Sequence, residues 1–329
     1  MRLRASEKVT LYNGLAKMVR AGFGIPKATE TMLSQKHSNG ARIYLTHLQD
    51  SLKAGKNLAD STKSVPLDSV SQLEKEIIAA GERGGQIESA YNHLSDYFAV
   101  VHKTSRHIRR KLYYPLILLT LAVLLPALPK AVAAPKAAPV IINAFILLGI
   151  IYAGLIILFF IGRAILKSAQ TSVAADSFLR KIPLVGPVRK TLSMSRFCKV
   201  FHIYLLSAFR ISECLRSAGS ASASARISSA SNEWAEAVEA GHGFSEPLAD
   251  IGEFDHMFKS SFTTAEMAGD LDGEAERWSK LMTEEAHGAV ERLGEWAPRI
   301  FYALIAVFVI YQIFQIAGTY INTIRDFMP

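Results

Sequence analysis

The stretch VIINAFILLGIIYAGLIILFFIG, Val140–Gly162, carries no ionisable side chain except one tyrosine. A helix rising 1.5 Å per residue needs ~20 apolar residues to cross the ~30 Å hydrocarbon core of a bilayer. This stretch is long enough, and it is apolar around its whole circumference, unlike the striped core helix of a soluble protein. A second such block follows at Ile300–Ile321 (IFYALIAVFVIYQIFQIAGTYI), and a third precedes at Leu112–Leu128 (LYYPLILLTLAVLLPAL). The last is shorter and holds Pro115 and Pro126, so its span is completed by the alanine-rich run towards Ala134, with Lys130 snorkelling to the interface. The spans are therefore expected at about 112–134, 140–162 and 300–321. The first two are joined by PKAVAAPKAAP, too short to hold a domain, and so form a hairpin.

Charge fixes the orientation. The net charge is +8, and the basic residues border the apolar blocks: Lys103, Arg106, Arg109, Arg110 and Lys111 before the first, Arg163 and Lys167 after the second, Arg299 before the third. Only Lys130 and Lys136 lie in the hairpin loop. The positive-inside rule places residues 1–111 and 163–299 in the cytoplasm, and the hairpin tip and the tail 322–329 outside. A lipid bilayer accounts for the basic charge, and no nucleic-acid-binding motif argues for a different partner. The opening MRLRASEKVTLYNG has no apolar core, so no secretory signal is expected there. Cys198 and Cys214 lack metal-ligand spacing and suggest no disulfide framework; they read as reduced, partly buried thiols.

The two cytoplasmic regions resemble each other. Leu11, Leu15, Met18 and Val19 share one helical face; Phe197, Phe201, Tyr204 and Leu205 hold the same positions 186 residues on. The phrases AGFGIPKA (Ala21–Ala28) and SAFRISEC (Ser207–Cys214) follow each stripe, and Gly55 matches Gly241. Then Glu82, Gly85 and Ile87 of GERGGQI match Glu266, Gly269 and Leu271 of AEMAGDL, at an offset of 184. Ile87, Tyr91, Leu94 and Phe98 match Leu271, Ala275, Trp278 and Met282 at the same offset. Ordered matches at a near-constant offset indicate duplication. Breakers at Gly22–Pro26, Ser38–Gly40, Gly55–Asn57, Val65–Pro66 and Gly84–Gly85 cut the first copy into short helices; Gly219–Ser220, Gly241–Gly243 and Gly269–Gly273 cut the second. No alternating strand pattern appears. The expected fold is all-α: an integral membrane protein with two homologous cytoplasmic helical bundles and three transmembrane helices.

Catalytic and metal motifs fail one by one. Around Gly55–Lys56 a phosphate loop would need glycine where Asp50 stands and serine or threonine at Asn57. Asp270, Asp272 and Gly273 imitate the middle of a calcium loop, but Ala268 and Ser279 occupy its acidic ends. A divalent ion among Asp270, Asp272 and Glu274 is the second reading there, behind a solvated acidic loop. The histidines show no metal spacing and no serine elbow is present. No enzyme activity, cofactor or metal is expected. Glu82 and Glu266 read as caps or pairs at a helix junction, with partner contact as the second reading; Gly85 and Gly269 read as backbone turns. In the apolar blocks Asn143, Gln312 and Gln315 are candidates for bonds between helices, and Gly149 with Ala153 for close helix packing.

Two copies of a helical unit, each ending in a membrane segment with a hairpin after the first, resemble the PilC/GspF family of platform proteins in type IV pilus and type II secretion systems. The phrases that carry the resemblance are Ala21–Gly22 through Ile25, and Gly81, Glu82, Gly85 and Ile87. In the second copy Ala265 replaces the first glycine, and Ala208–Phe209 replaces the Ala–Gly pair. The short run before the first copy resembles the type IVb pilus branch. The resemblance implies an inner-membrane, multi-pass homo-oligomer with its N-terminus cytoplasmic and C-terminus periplasmic. It also implies cytoplasmic domains that meet an assembly ATPase, contact with pilin or pseudopilin and with other inner-membrane assembly proteins, and coupling of ATPase motion to pilin insertion. A small transporter or channel is the alternative, disfavoured because the three blocks are charge-free. A membrane enzyme or receptor has no catalytic constellation to support it.

Overall fold

A computed structural model of the chain describes residues 3–66, 70–133 and 137–327. Among these residues the fold is all-helical. The helices are α1 (Ala5–Arg20), α2 (Ile25–Leu33), α3 (Asn39–Lys53), α4 (Leu58–Lys63), α5 (Gln72–Arg83), α6 (Ile87–Leu124), α7 (Ala127–Ala133), α8 (Ala137–Ser168), α9 (Val173–Lys181), α10 (Val185–Leu206), α11 (Ile211–Ala221), α12 (Ala225–Glu239), α13 (Ser245–Asp250), α14 (His256–Ala268) and α15 (Leu271–Phe327). They group into a bundle unit, 1–103 with 166–290, and an apolar unit, 104–165 with 291–329. The sequence had placed the divisions at 111/112, 162/163 and 299/300. The observed divisions fall inside α6, α8 and α15, because these helices continue without a linker from amphipathic to apolar sequence.

In the bundle unit, local chemistry starts and stops each helix. Ser38, Asn57, Ser71, Ser172 and Ser224 accept N–H bonds at the starts of α3, α4, α5, α9 and α12. Pro26 sits in the first turn of α2, where its missing N–H costs nothing. Gly219, expected to break a helix, lies within α11 instead. A Cβ there would come within 2.7 Å of the Ser231 side chain, so glycine is required by the close approach of α12, and the chain turns later at Ser222–Ser224.

The first bundle's core holds the stacked rings of Tyr12, Tyr91 and Phe98 around a buried ion pair. Lys8 Nζ donates to Glu74 Oε2 at 2.5 Å and Tyr12 donates to Oε1 at 2.5 Å. The N–H and hydroxyl of Ser71 complete the carboxylate's shell. Burial and the Glu74 charge raise the Tyr12 phenol well above its ordinary value, keeping it a donor. The second bundle's core is aromatic: Phe197, Phe201, Trp234, Phe244, Phe258, Phe262 and Trp278 pack ring to ring. Trp234 Nε1 donates to the Phe244 carbonyl at 2.7 Å. Beside it, Asp176 on α9 accepts from Arg189 Nε at 2.6 Å, and Glu253 binds Arg180 and Arg226, tying α9, α10 and α12 together.

The apolar unit differs from expectation in detail. Ala138–Ser168 and Leu271–Gln315 are long and apolar enough to cross a membrane. The first expected span is interrupted. The apolar part of α6 covers Tyr113–Leu124, about 18 Å of helix, before a turn at Leu125–Pro126 and the separate helix α7. Proline has no N–H for the helix ladder, and the break falls where it enters. Ala134 and Lys136 lie outside the described residues, as do Met328 and Pro329 of the expected external tail. The helix runs on to Phe327, so the tail does not separate from α15 at residue 322. A Cβ on Gly149 would meet nothing within 4 Å, so the position faces open space and not a neighbouring helix. Gln315 donates to Tyr311 Oη at 2.9 Å, one turn away on its own helix. Thr120 and Tyr152 share a hydrogen bond of 2.8 Å between α6 and α8.

Candidate functional site

Glu82 lies in the last turn of α5 and reaches the start of α4. Its Oε1 accepts the Leu58 N–H at 2.5 Å and its Oε2 the Ala59 N–H at 2.7 Å. Asn57 Oδ1 takes the Asp60 N–H at 2.7 Å. The free N–H groups that open any helix are thus answered by a carboxylate from a different helix, which also suits the positive end of the helix dipole. Three residues on, Gly85 stands at φ +67°, left-handed backbone that suits glycine. The chain there closes with Gln86 N–H donating to the Gly81 carbonyl and Gly85 N–H to the Glu82 carbonyl.

The same device recurs 184 residues later. Glu266 on α14 accepts the Phe244 N–H at 2.6 Å and the Ser245 N–H at 2.8 Å, together with the Ser245 hydroxyl. Gly269 stands at φ +72°, with Asp270 N–H donating to the Ala265 carbonyl and Gly269 N–H to the Glu266 carbonyl. Burial pushes the Glu266 carboxyl up, but the bonds from Ser245 and Phe244 outweigh it and hold the group below its ordinary value. The structure therefore puts each glutamate with its glycine, Glu82 with Gly85 and Glu266 with Gly269, at the turn into a long helix, α6 or α15. It does not bring the two pairs into one site.

A third recurrence adjusts the reading of the second copy. Gly22 has φ +84° and Ala208 has φ +54°, both after the last turn of a long helix. Ala208 is thus the counterpart of Gly22, and the pair standing for Ala21–Gly22 is Ser207–Ala208, not Ala208–Phe209.

Between the bundles, α5 packs on α10 and α11. Glu76 accepts from Tyr204 Oη at 2.6 Å and from Ser220 Oγ at 3.3 Å. Arg83 donates to Glu213 at 2.5 Å and lies over the Phe209 ring at 5.2 Å. A Cβ on Gly84 would come within 2.6 Å of Ser207 Cβ, so glycine sets how closely the bundles approach. Sequence reasoning missed Glu76, Arg83, Tyr204 and Glu213, because a charged or phenolic side chain on a helix surface carries no mark of what it meets.

Chemically the arrangement positions helices. Asp270 accepts the Gly273 N–H at 3.0 Å and Glu274 binds Arg277 and the Trp278 N–H. Among the described residues no group of three or more histidines, cysteines or acids is placed to hold a metal. Burial raises both thiols, Cys214 to about 12, which leaves them poor nucleophiles. An open groove of about 550 Å³ borders Gly85, lined by Val19, Gln86, Ile87, Glu88, Ser89 and Asn92.

Comparison with known proteins joins these observations. The family model described as type II secretion system protein F matches residues 11–135, from the middle of α1 through α7. Similarity to individual proteins runs further. The chain is 25% identical over 335 residues to type II secretion system protein F of Aeromonas hydrophila, covering 94% of this chain and 85% of that protein. It is 24% identical to the Vibrio cholerae protein F over 90% of this chain and 77% of the relative. Type IV pilus assembly protein PilC of Myxococcus xanthus is 20% identical over 84% of this chain and 71% of its own length. With a protein F domain matched over its first bundle, and with proteins F and PilC similar along most of its length, the chain is similar to the GspF/PilC family.

Proposed function

We propose that this chain is the inner-membrane platform that couples a cytoplasmic assembly ATPase to the insertion of pilin or pseudopilin subunits. The single observation that carries the reading is the recurring carboxylate clamp. Glu82 and Glu266 each lock a short helix to the turn that opens a long helix, α6 or α15, whose later part is apolar. Similarity to type II secretion protein F and to PilC supports a place in secretion or pilus machinery. The matched positions of helices α1–α6 and α10–α15, with left-handed backbone at Gly22, Gly55 and Gly85 and again at Ala208, Gly241 and Gly269, support a duplicated cytoplasmic region. The length and hydropathy of α8 and α15 support two crossings; the third proposed crossing takes the apolar part of α6 together with α7, and the basic flanks favour the N-terminus inside and the C-terminus outside. On this reading the chain works by holding other proteins.

Deletion of the gene should abolish filament assembly or secretion, and the wild-type gene should restore it. The assembly ATPase should co-purify with the full chain from detergent. A Glu82→Ala chain that still inserts but no longer retains the ATPase or supports assembly supports coupling through the clamp. A deletion strain that assembles filaments normally overturns the reading. The type IVb pilus branch is the narrower proposal, and it expects a pilin gene and an ATPase gene beside this one.

A further inference from the structure

The contact between the two bundles is one-sided. Helix α5 of the first bundle packs on α10 and α11 of the second. The counterparts of these elements, α14 on one side and α1 with α2 on the other, make no comparable packing on each other among the described residues. If the bundles were related by a closed two-fold, both contacts would form inside one chain. Only one does, so each chain carries one used and one unused copy of the same pair of surfaces.

The unused surfaces match residue for residue. Arg83, which covers Phe209, corresponds to Met267, and Phe209 corresponds to Phe23. Met267 is 86% exposed and Phe23 41% exposed. Gly84 against Ser207 becomes Ala268 against Ala21, still small against small. The polar pair Glu76–Tyr204 becomes Ser260 and Met18, and Glu213, the partner of Arg83, becomes Lys27, whose ammonium is already paired with Glu30 at 2.9 Å. Where Leu73, Ala79 and Ala80 are buried on α5, Met257, Thr263 and Thr264 are bare on α14. An exposed methionine opposite an exposed ring is a favourable sulfur–aromatic pairing.

We infer that copies of this chain assemble head to tail, α14 of one copy seating on α1 and α2 of the next, with Met267 over Phe23. The contact continues the interface already present within the chain and rests on the duplication proposed above. It is heterologous, so it closes into a ring or runs on as an open arc.

The test uses full-length chains in inner membranes. Chains with Phe23→Cys and chains with Met267→Cys are produced alone and together under different tags, then oxidised. The native thiols are buried and stay out of the reaction. The inference expects a disulfide-linked dimer carrying both tags only on co-production, and a ladder above dimer from the double variant Phe23→Cys/Met267→Cys. Dimers from either single variant alone overturn it, because that is an isologous contact. Equal cross-linking when exposed Ala54→Cys replaces Met267→Cys overturns it as collision. Absence of cross-links, or adducts only to a different protein, also overturns it. The duplication stands or falls separately, on the pairing of Glu266 with residues 244–245, which these surface cysteines leave untouched.

Discussion

Gly85 and Gly269 have left-handed backbone that costs a side-chain-bearing residue about 1–2 kcal/mol. Gly85→Ala and Gly269→Ala should each lower the melting temperature of the purified protein by that amount of stability. Ala208 already bears the cost at φ +54°, so Ala208→Gly should raise stability by about 0.5–1 kcal/mol in the same measurement. Glu266 adds a pH dependence. Its carboxyl sits below the ordinary value when folded, so its stabilising contribution is complete above the unfolded value near 4.3 and is lost as pH falls through the lower folded one. Tryptophan occurs only at residues 234, 278 and 296, the first two in the second bundle and the third in the apolar unit, so in a Trp296→Phe background indole fluorescence reports the second bundle. Glu266→Gln should flatten the acid limb of that signal below about pH 4 and should cost about 1–2 kcal/mol at neutral pH, through the weakened cap. The glycine and glutamate positions were legible in the sequence because a turn needs a particular residue type. The partners of Glu82 were not, because Leu58 and Ala59 offer only backbone N–H groups, which every residue has.

At the scale of the helix, two features decide whether the bundles form and meet. Lys8 and Glu74 are both buried, so removing one leaves a charge without its counterion. Lys8→Met should cost about 3–5 kcal/mol, and the double change Lys8→Met/Glu74→Leu should recover most of it, read by urea unfolding of the first bundle. The contact of α5 with α10 depends on Gly84 more than on the exposed Arg83–Glu213 pair, which is worth under about 1 kcal/mol. Gly84→Leu should split thermal unfolding into two transitions, with the indole signal following only one; Arg83→Ala should leave a single transition. Periodicity and breakers exposed most helices, since a stripe and a glycine are local signals. They misplaced the break at Gly219, where glycine serves a crossing helix and not a turn. They also carried the first apolar block past Pro126, where hydropathy is continuous but the hydrogen-bond ladder is not.

For the whole molecule, the pattern of apolar blocks and basic flanks predicts sidedness. A protease-cleavable tag at residue 1 and another in the exposed loop 241–243 should both be protected in intact spheroplasts and cut in inverted vesicles. Opposite behaviour of the two tags would remove the platform reading. The overall plan was readable because two long runs without charge have one stable environment. The assembly of the bundles was not, because Glu76, Asp176 and Glu253 find partners 13 to 144 residues away and no spacing rule reaches that far.

The unlike hearts of the two bundles have a consequence for synthesis. A chain with two similar folding units can trade helices between them as it leaves the ribosome. Here a misplaced α1 would bring the ammonium of Lys8 towards the ring of Phe258, and a misplaced α14 would leave that ammonium facing Phe258 instead of Glu74. Either swap strands an ion in hydrocarbon, so each half of the nascent polypeptide can recognise its own pieces.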